Sequence, residues 1–142
     1  MMTAEENKAI VSRYYEEIGN QRKFDVADEI FDANFKLFSD SQPPYGPESV
    51  KQFMGWFIGV KFPDLHVTID GIVGDSDVVA TRVTLHATQN ASVDWIAGFN
   101  IAPTGKAFDL QEYIFWRVVD GKITERWSCF DTLGMLYQLG AV

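Results

Sequence analysis

Phe115-Trp116-Arg117-Val118-Val119-Asp120-Gly121-Lys122-Ile123-Thr124-Glu125-Arg126-Trp127 is the stretch that decides how this chain folds. Two runs of β-branched and aromatic residues flank Asp120-Gly121, a dipeptide that tolerates the positive φ angles of a tight hairpin turn. The second run leads into Asp131-Thr132-Leu133-Gly134-Met135-Leu136-Tyr137-Gln138-Leu139-Gly140, where Asp131 can cap a short helix and Gly140 can close it. A strand hairpin running into a C-terminal helix is therefore expected for the last quarter of the chain.

Working back from the hairpin, the hydrophobic period changes from two to that of a helix. Leu65 to Val73, Val78 to Thr88, Lys106 to Val118 and Lys122 to Phe130 read as strands, separated by turn-rich Gly74-Asp75-Ser76-Asp77, a long irregular segment and Asp120-Gly121. Before Leu65 the chain reads as helical. Thr3 and Glu6 form a capping box, and Ile10, Val11, Tyr14 and Ile18 share one face, so a first helix is predicted from about Ala4 to Gly19. Asp25 is placed to cap a short second helix through Phe31, and Asn34 to Phe38 reads as a brief strand. Pro47 opens a third helix that turns Val50, Phe53, Met54 and Phe57 inward before Phe62-Pro63-Asp64 breaks it. Helices first and strands after give an α+β fold, with the helices packed on one face of a strongly curved antiparallel sheet.

The chain has 142 residues, the size of one domain spanning 1–142, and a domain of this length buries ~70% of its unfolded surface. It carries 11 Phe and 4 Trp, more large rings than a core of this size uses as filler, so some are expected to line a cavity or a subunit interface. The net charge of −8 and the scattered Lys and Arg argue against nucleic acid and anionic membrane as partners. Cys129 is the only cysteine, which excludes an intrachain disulfide and a thiolate metal cluster. Met1 to Glu6 shows no secretory pattern, and no window reaches the roughly 18 apolar residues of a membrane span. A soluble, cytoplasmic protein is expected. The two histidines, His66 and His86, are too far apart for a recognisable metal site and read as structural. No phosphate loop, dinucleotide fingerprint or nucleophile elbow is present, so no metal and no cofactor are expected.

The hairpin also sorts residues onto faces. With Val119-Asp120-Gly121 as a three-residue loop, Val118 pairs with Lys122, Glu112 faces Ser128 and Ile114 faces Arg126. A two-residue loop would flip one strand against the other. In the three-residue register Leu110, Glu112, Ile114 and Trp116 share a face with Thr124, Arg126 and Ser128.

Helix one with Tyr14-Tyr15, Gly46-Pro47-Glu48, Phe62-Pro63-Asp64-Leu65, Pro103-Thr104-Gly105-Lys106, the Asp-Gly-Lys hairpin and the Asp131 to Gly140 tail follow one another in this order. In that order they resemble the SnoaL-like polyketide cyclase (ester cyclase) family of the nuclear-transport-factor-2-like superfamily. The resemblance implies a cone-shaped α+β barrel, usually a homodimer, that binds a small hydrophobic molecule. It also implies that Ile114 and Ser128 match a histidine and an aspartate that point into the cyclase cavity, which marks their face as the pocket face. The segment Gln89 to Ala102, with Asp94, Trp95 and Phe99, is longer than in the family and is expected near the mouth of the cone.

On that pocket face Glu112 and Arg126 offer an acid and a fixed cation among apolar side chains. Burial raises the carboxyl pKa toward a range useful for proton transfer, and Arg126 lowers it and orients the group. The same pair also reads as a structural cross-strand ion pair. Tyr14, on the inner face of helix one, is a third candidate catalytic group, a donor to an enolate oxygen, and reads first as an amphipathic core tyrosine. Asp131 reads first as a helix cap. Trp56, Trp95, Phe99, Ile114, Trp116 and Ser128 are expected to contact the substrate. The expected function is cofactor-free acid/base chemistry, aldol-type cyclisation or isomerisation, on a hydrophobic polyketide-like carbonyl compound, which as an enzyme makes it a lyase or isomerase. A non-catalytic binder of an apolar metabolite, an epoxide hydrolase or hydratase built on Arg126 with Glu112 or Asp94, and an interaction subunit using Tyr113, Phe115 and Trp127 are the alternatives.

Overall fold

Alternation is cleanest in the strand that carries Glu112, and it places the sheet. In β3 (Ala107–Val119) Phe108, Leu110, Glu112, Ile114, Trp116 and Val118 are buried, and most of the residues between them are exposed. The computed structural model, which describes residues 2–142, pairs β3 with β2 (Val78–Thr88) and β4 (Lys122–Phe130), and β2 with β1 (His66–Asp75). The result is a four-stranded antiparallel meander in the order β1-β2-β3-β4. The sheet does not close into a barrel, and the helices cover its inner face. Rows of paired residues run straight across that face: Ile69, Val83, Glu112 and Phe130, then Ile72, Thr81, Ile114 and Ser128, then Gly74, Val79, Trp116 and Arg126.

The hairpin corrects the expected loop. Val119 pairs with Lys122 across a two-residue turn, with Asp120 at φ 50° and Gly121 at φ 79°. The strands do not flip, because a bulge follows at once. Val118 pairs with Ile123 but Arg117 pairs with Glu125, so Thr124 is the extra residue that restores the facing pattern. Glu112 therefore opposes Phe130 rather than Ser128, and Arg126 opposes Trp116 rather than Ile114. The faces survive because the register has moved by an even number of residues.

The helices follow their sequence signals with two changes of pitch. Thr3 accepts from the Glu6 amide and caps α1 (Ala4–Arg13), which widens into a π-helical turn over Tyr14–Asn20. A short 3₁₀ turn (Phe24–Val26), with Asp25 inside it rather than capping it, leads into α2 (Ala27–Ile30). The expected strand at Asn34 to Phe38 does not form. Its amides go to local turns instead, Asn34 to the Asp32 carboxylate and Phe38 to the Ser41 hydroxyl, and only Phe31 bridges the sheet, at Ile123. Gly46 (φ 69°) precedes α3 (Pro47–Trp56), and a Cβ there would lie 2.6 Å from the Ala33 carbonyl oxygen. The third helix also ends in a π turn, Phe57–Lys61, closed by the Phe62 amide on the Phe57 carbonyl. Asp131 accepts from the Gly134 amide and caps α4 (Thr132–Leu139), with Gly140 left-handed after it. Among the described residues no helix is long and apolar enough to cross a membrane.

Candidate active site

The cavity lies where the π turn that follows α1, helix α3 and the inner face of the sheet meet. It encloses about 500 Å³, and most of its wall is apolar: Met54, Phe57, Phe62, Leu85, Leu110 and Met135 are representative. Two ionisable groups from the sheet, Glu112 and Arg126, and two from the first helix, Tyr14 and Tyr15, enter this wall. Strand alternation turns Glu112 and Arg126 inward. The π turn does the same for adjacent Tyr14 and Tyr15, which are 5% and 1% exposed.

Glu112 is 4% exposed. Burial pushes its carboxyl up to about 6, and the nearby Arg126 cation opposes that rise. Arg126 Nη2 stands 3.5 Å from Glu112 Oε2, at the outer limit of a hydrogen bond, so the pair is a loose one. The guanidinium is held instead by rings. Its Cζ lies 5.4 Å from the centre of Phe38 and 5.4 Å from that of Trp116. Trp116 is fully buried and donates through Nε1 to Thr81 Oγ1 at 3.1 Å, and Tyr15 shares that hydroxyl at 2.8 Å. Tyr14 packs edgewise on Tyr15 and Phe31, and its hydroxyl finds only the Met54 sulfur at 3.8 Å. Burial pushes the Tyr14 phenol up to about 12, so it stays a proton donor at neutral pH.

Of the side chains expected at the substrate, Trp56 and Trp95 stand together at the cavity wall with ring centres 5.3 Å apart. Trp116 lies behind the wall, under Arg126 and Tyr14. Ile114 and Ser128 pair with each other further along the sheet and do not line the cavity, and half-buried Phe99 sits in the loop away from it, in a turn closed on Ile96. Asp94 is exposed and lies 3.7 Å from Lys61. His86 is exposed and bonded to Asp109 at 2.7 Å. The aromatic row Phe53, Trp56 and Phe57 lines the cavity, although the sequence marked only Trp56 as a substrate contact. Its spacing of three and four residues was the signal, since it puts all three on one helical face. Phe38 had no such signal, because it reaches Arg126 from an irregular segment.

The loop that brings Trp95 to the wall is built on Gln89. This side chain is fully buried, donates to the carbonyls of Ala91 (2.9 Å) and Ala102 (3.1 Å), and accepts from the Thr104 amide (2.8 Å). Val93 and Ile101 bridge across the loop, and Lys61 Nζ donates to the Ser92 carbonyl at 3.0 Å while lying 5.5 Å from the Trp95 ring centre. Among the described residues no three His, Cys, Asp or Glu stand together in a metal-holding group.

No curated protein sequence matches the chain. The solved structure of TsrD from Streptomyces laurentii superposes with a TM-score of 0.82 at 19% identity, covering 100% of both chains. A SnoaL-like polyketide cyclase from Agrobacterium tumefaciens C58 gives 0.79 at 21% identity over 99% of this chain and 100% of that one. Wild-type IdmH from Streptomyces antibioticus gives 0.69 at 29% identity over 94% of this chain and 98% of that one. The first two likenesses concern the fold alone. The family model matches residues 9–139, and on that match the chain belongs to the SnoaL-like polyketide cyclases, within the nuclear-transport-factor-2-like fold.

Proposed function

We propose that the chain is a small-molecule enzyme of cyclase or isomerase type that performs acid/base chemistry without a cofactor on a hydrophobic, polyketide-like carbonyl compound. Family membership supports the reaction type. The observation that carries the chemistry is Glu112, a buried carboxylate on the wall of an apolar cavity whose pKa, about 6, lies close to neutrality. In this reading Glu112 takes a proton from the carbon next to a carbonyl, and Tyr14 donates to the enolate oxygen that forms. Arg126 positions the carboxylate. In a ring closure the enolate carbon attacks a second carbonyl of the same molecule, a C–C bond forms, and the new alkoxide recovers the proton from Glu112. In an isomerisation the proton returns to a different carbon. Trp56 and Trp95 hold the apolar body of the substrate.

The resemblance to the cyclases implies a histidine and an aspartate where this chain has Ile114 and Ser128. They favour a second reading, a non-catalytic binder. Exchange of α-protons into D₂O, followed by NMR on a bicyclic ketone such as 2-tetralone, separates the two. Wild-type protein should accelerate exchange, and Glu112→Gln should fold, bind within a factor of a few and exchange about 10²-fold more slowly. No acceleration, or equal rates in the two proteins, would leave Glu112 structural and favour the binder.

A further inference from the structure

Arg126 has donors that the protein does not use. Its side chain is 3% exposed, Nη2 alone reaches toward Glu112, and Nε and Nη1 are buried with no hydrogen-bond partner. Guanidinium N–H bonds lie in the plane of the group, and its carbon lies within cation–π reach of the Phe38 and Trp116 rings. The rings satisfy the cation's charge in part but none of its hydrogen bonds. A buried charged donor without an acceptor is costly, and here it sits in the wall of a cavity large enough for a ligand.

The charge around Arg126 is incomplete as well. The titratable groups that face Glu112 are Arg126 from β4 and Tyr14 and Tyr15 from the first helix, and burial holds both phenols above their usual range and neutral. Val83 on β2 and Phe130 on β4 flank Glu112 in its row and bring no charge. Whenever Glu112 is protonated, Arg126 therefore has no counter-ion in the pocket. Lys61, the cation beside Trp95 at the loop, is already bonded to Ser92 and faces Asp94.

Resting on the reading of this cavity as the substrate site, we propose that its ligand is a hydrophobic carboxylic acid. The ligand's carboxylate accepts from the Arg126 donors that Glu112 leaves free, and its apolar body lies among the aromatic rings. An anion beside Glu112 disfavours the second negative charge, so binding is coupled to proton uptake by Glu112. The carboxyl pKa therefore rises on binding, and Glu112 serves as base only in the fraction of complexes in which it is ionised, so turnover should increase with pH through the raised value.

Anthraquinone-2-carboxylate and its methyl ester test this, with quenching of tryptophan fluorescence as the readout. The acid should bind about tenfold or more tightly than the ester at pH 6, and its advantage should shrink at pH 8, where proton uptake is harder. Glu112→Gln should keep the preference for the acid and lose its pH dependence. Arg126→Met should abolish the preference while the ester binds within a factor of a few. If that variant fails to fold, the double substitution Glu112→Gln with Arg126→Gln, which leaves no buried charge, gives the same comparison. Equal affinity for acid and ester in the wild type overturns the acid ligand and leaves the cavity as a site for neutral carbonyl compounds. A preference that survives loss of Arg126 also overturns it and moves the anion to Lys61. Failure of both probes to bind removes the substrate cavity itself, and the acid ligand with it.

Discussion

Glu112 titrates in a range where folding and chemistry both register it. Its carboxyl is raised from 4.5 to about 6 by burial, so the folded chain holds this proton more tightly than the unfolded chain does. Stability contributed by Glu112 is therefore present in full below the unfolded value and is lost as pH rises through the folded one. A shift of this size corresponds to about 2 kcal/mol. Urea unfolding of wild type and Glu112→Gln should show the wild type losing about that much relative to the variant between pH 4 and pH 7, since the other carboxylates cancel in the difference. A constant difference would mean that Glu112 is hydrated in the folded state. Arg126→Met should cost more, ~3–5 kcal/mol at neutral pH, because it leaves a buried carboxylate without its cation. At this scale the sequence was informative about identity but not about partnership. Alternation placed Glu112 and Arg126 on one face, yet nothing local told that Phe38 would cover the guanidinium or that two of its nitrogens would stay unpaired.

Elements position these groups through features that hydrophobic periodicity does not encode. A helix carrying apolar residues at three- and four-residue spacing reads the same whether its amides bond four or five residues back, so the π turns at Tyr14–Asn20 and Phe57–Lys61 were invisible while the helices themselves were plain. The hairpin behaved likewise. Asp120-Gly121 announced a turn, but the bulge at Thr124 that sets the register depends on how two faces pack, not on the turn dipeptide. The loop after β2 was legible as a long irregular segment, and its anchor was not, because a lone Gln89 carries no pattern. That anchor makes a prediction at the same scale. Gln89→Leu leaves the carbonyls of Ala91 and Ala102 and the Thr104 amide without their partner, at a cost of about 1–3 kcal/mol. The sheet ladder does not depend on it. Hydrogen exchange should therefore quicken in the loop and not in β2 or β3, and affinity for an aromatic probe should fall as Trp95 leaves the wall. Uniform loosening of the sheet would show that Gln89 supports the core instead.

At the scale of the whole molecule, the convex face of the sheet carries an exposed apolar row. Val73, Ala80, Phe115 and Trp127 run in register across all four strands, with Tyr113 and Cys129 paired in the next row. Val73 is 66% exposed, Phe115 58% and Trp127 50%, and a groove of about 570 Å³ follows the same residues. This apolar row, flanked on the same face by Arg82 and by the Arg117–Glu125 pair, is what one copy of the sheet offers another, and a two-fold axis through it would set Phe115 and Trp127 against their equivalents. We propose a homodimer on this face. The chain carries a net charge of −8, so each copy repels the other at long range, and the apolar contact has to overcome that repulsion. Sedimentation equilibrium should find a dimer at micromolar concentration whose dissociation constant falls as ionic strength rises, because salt screens the repulsion and leaves the apolar contact intact. Phe115→Glu should give a folded monomer, since the side chain is exposed within the chain and a carboxylate at the axis would face its own copy. A monomer at high micromolar concentration in high salt would remove the dimer, and a dimer that survives Phe115→Glu would move it to another face.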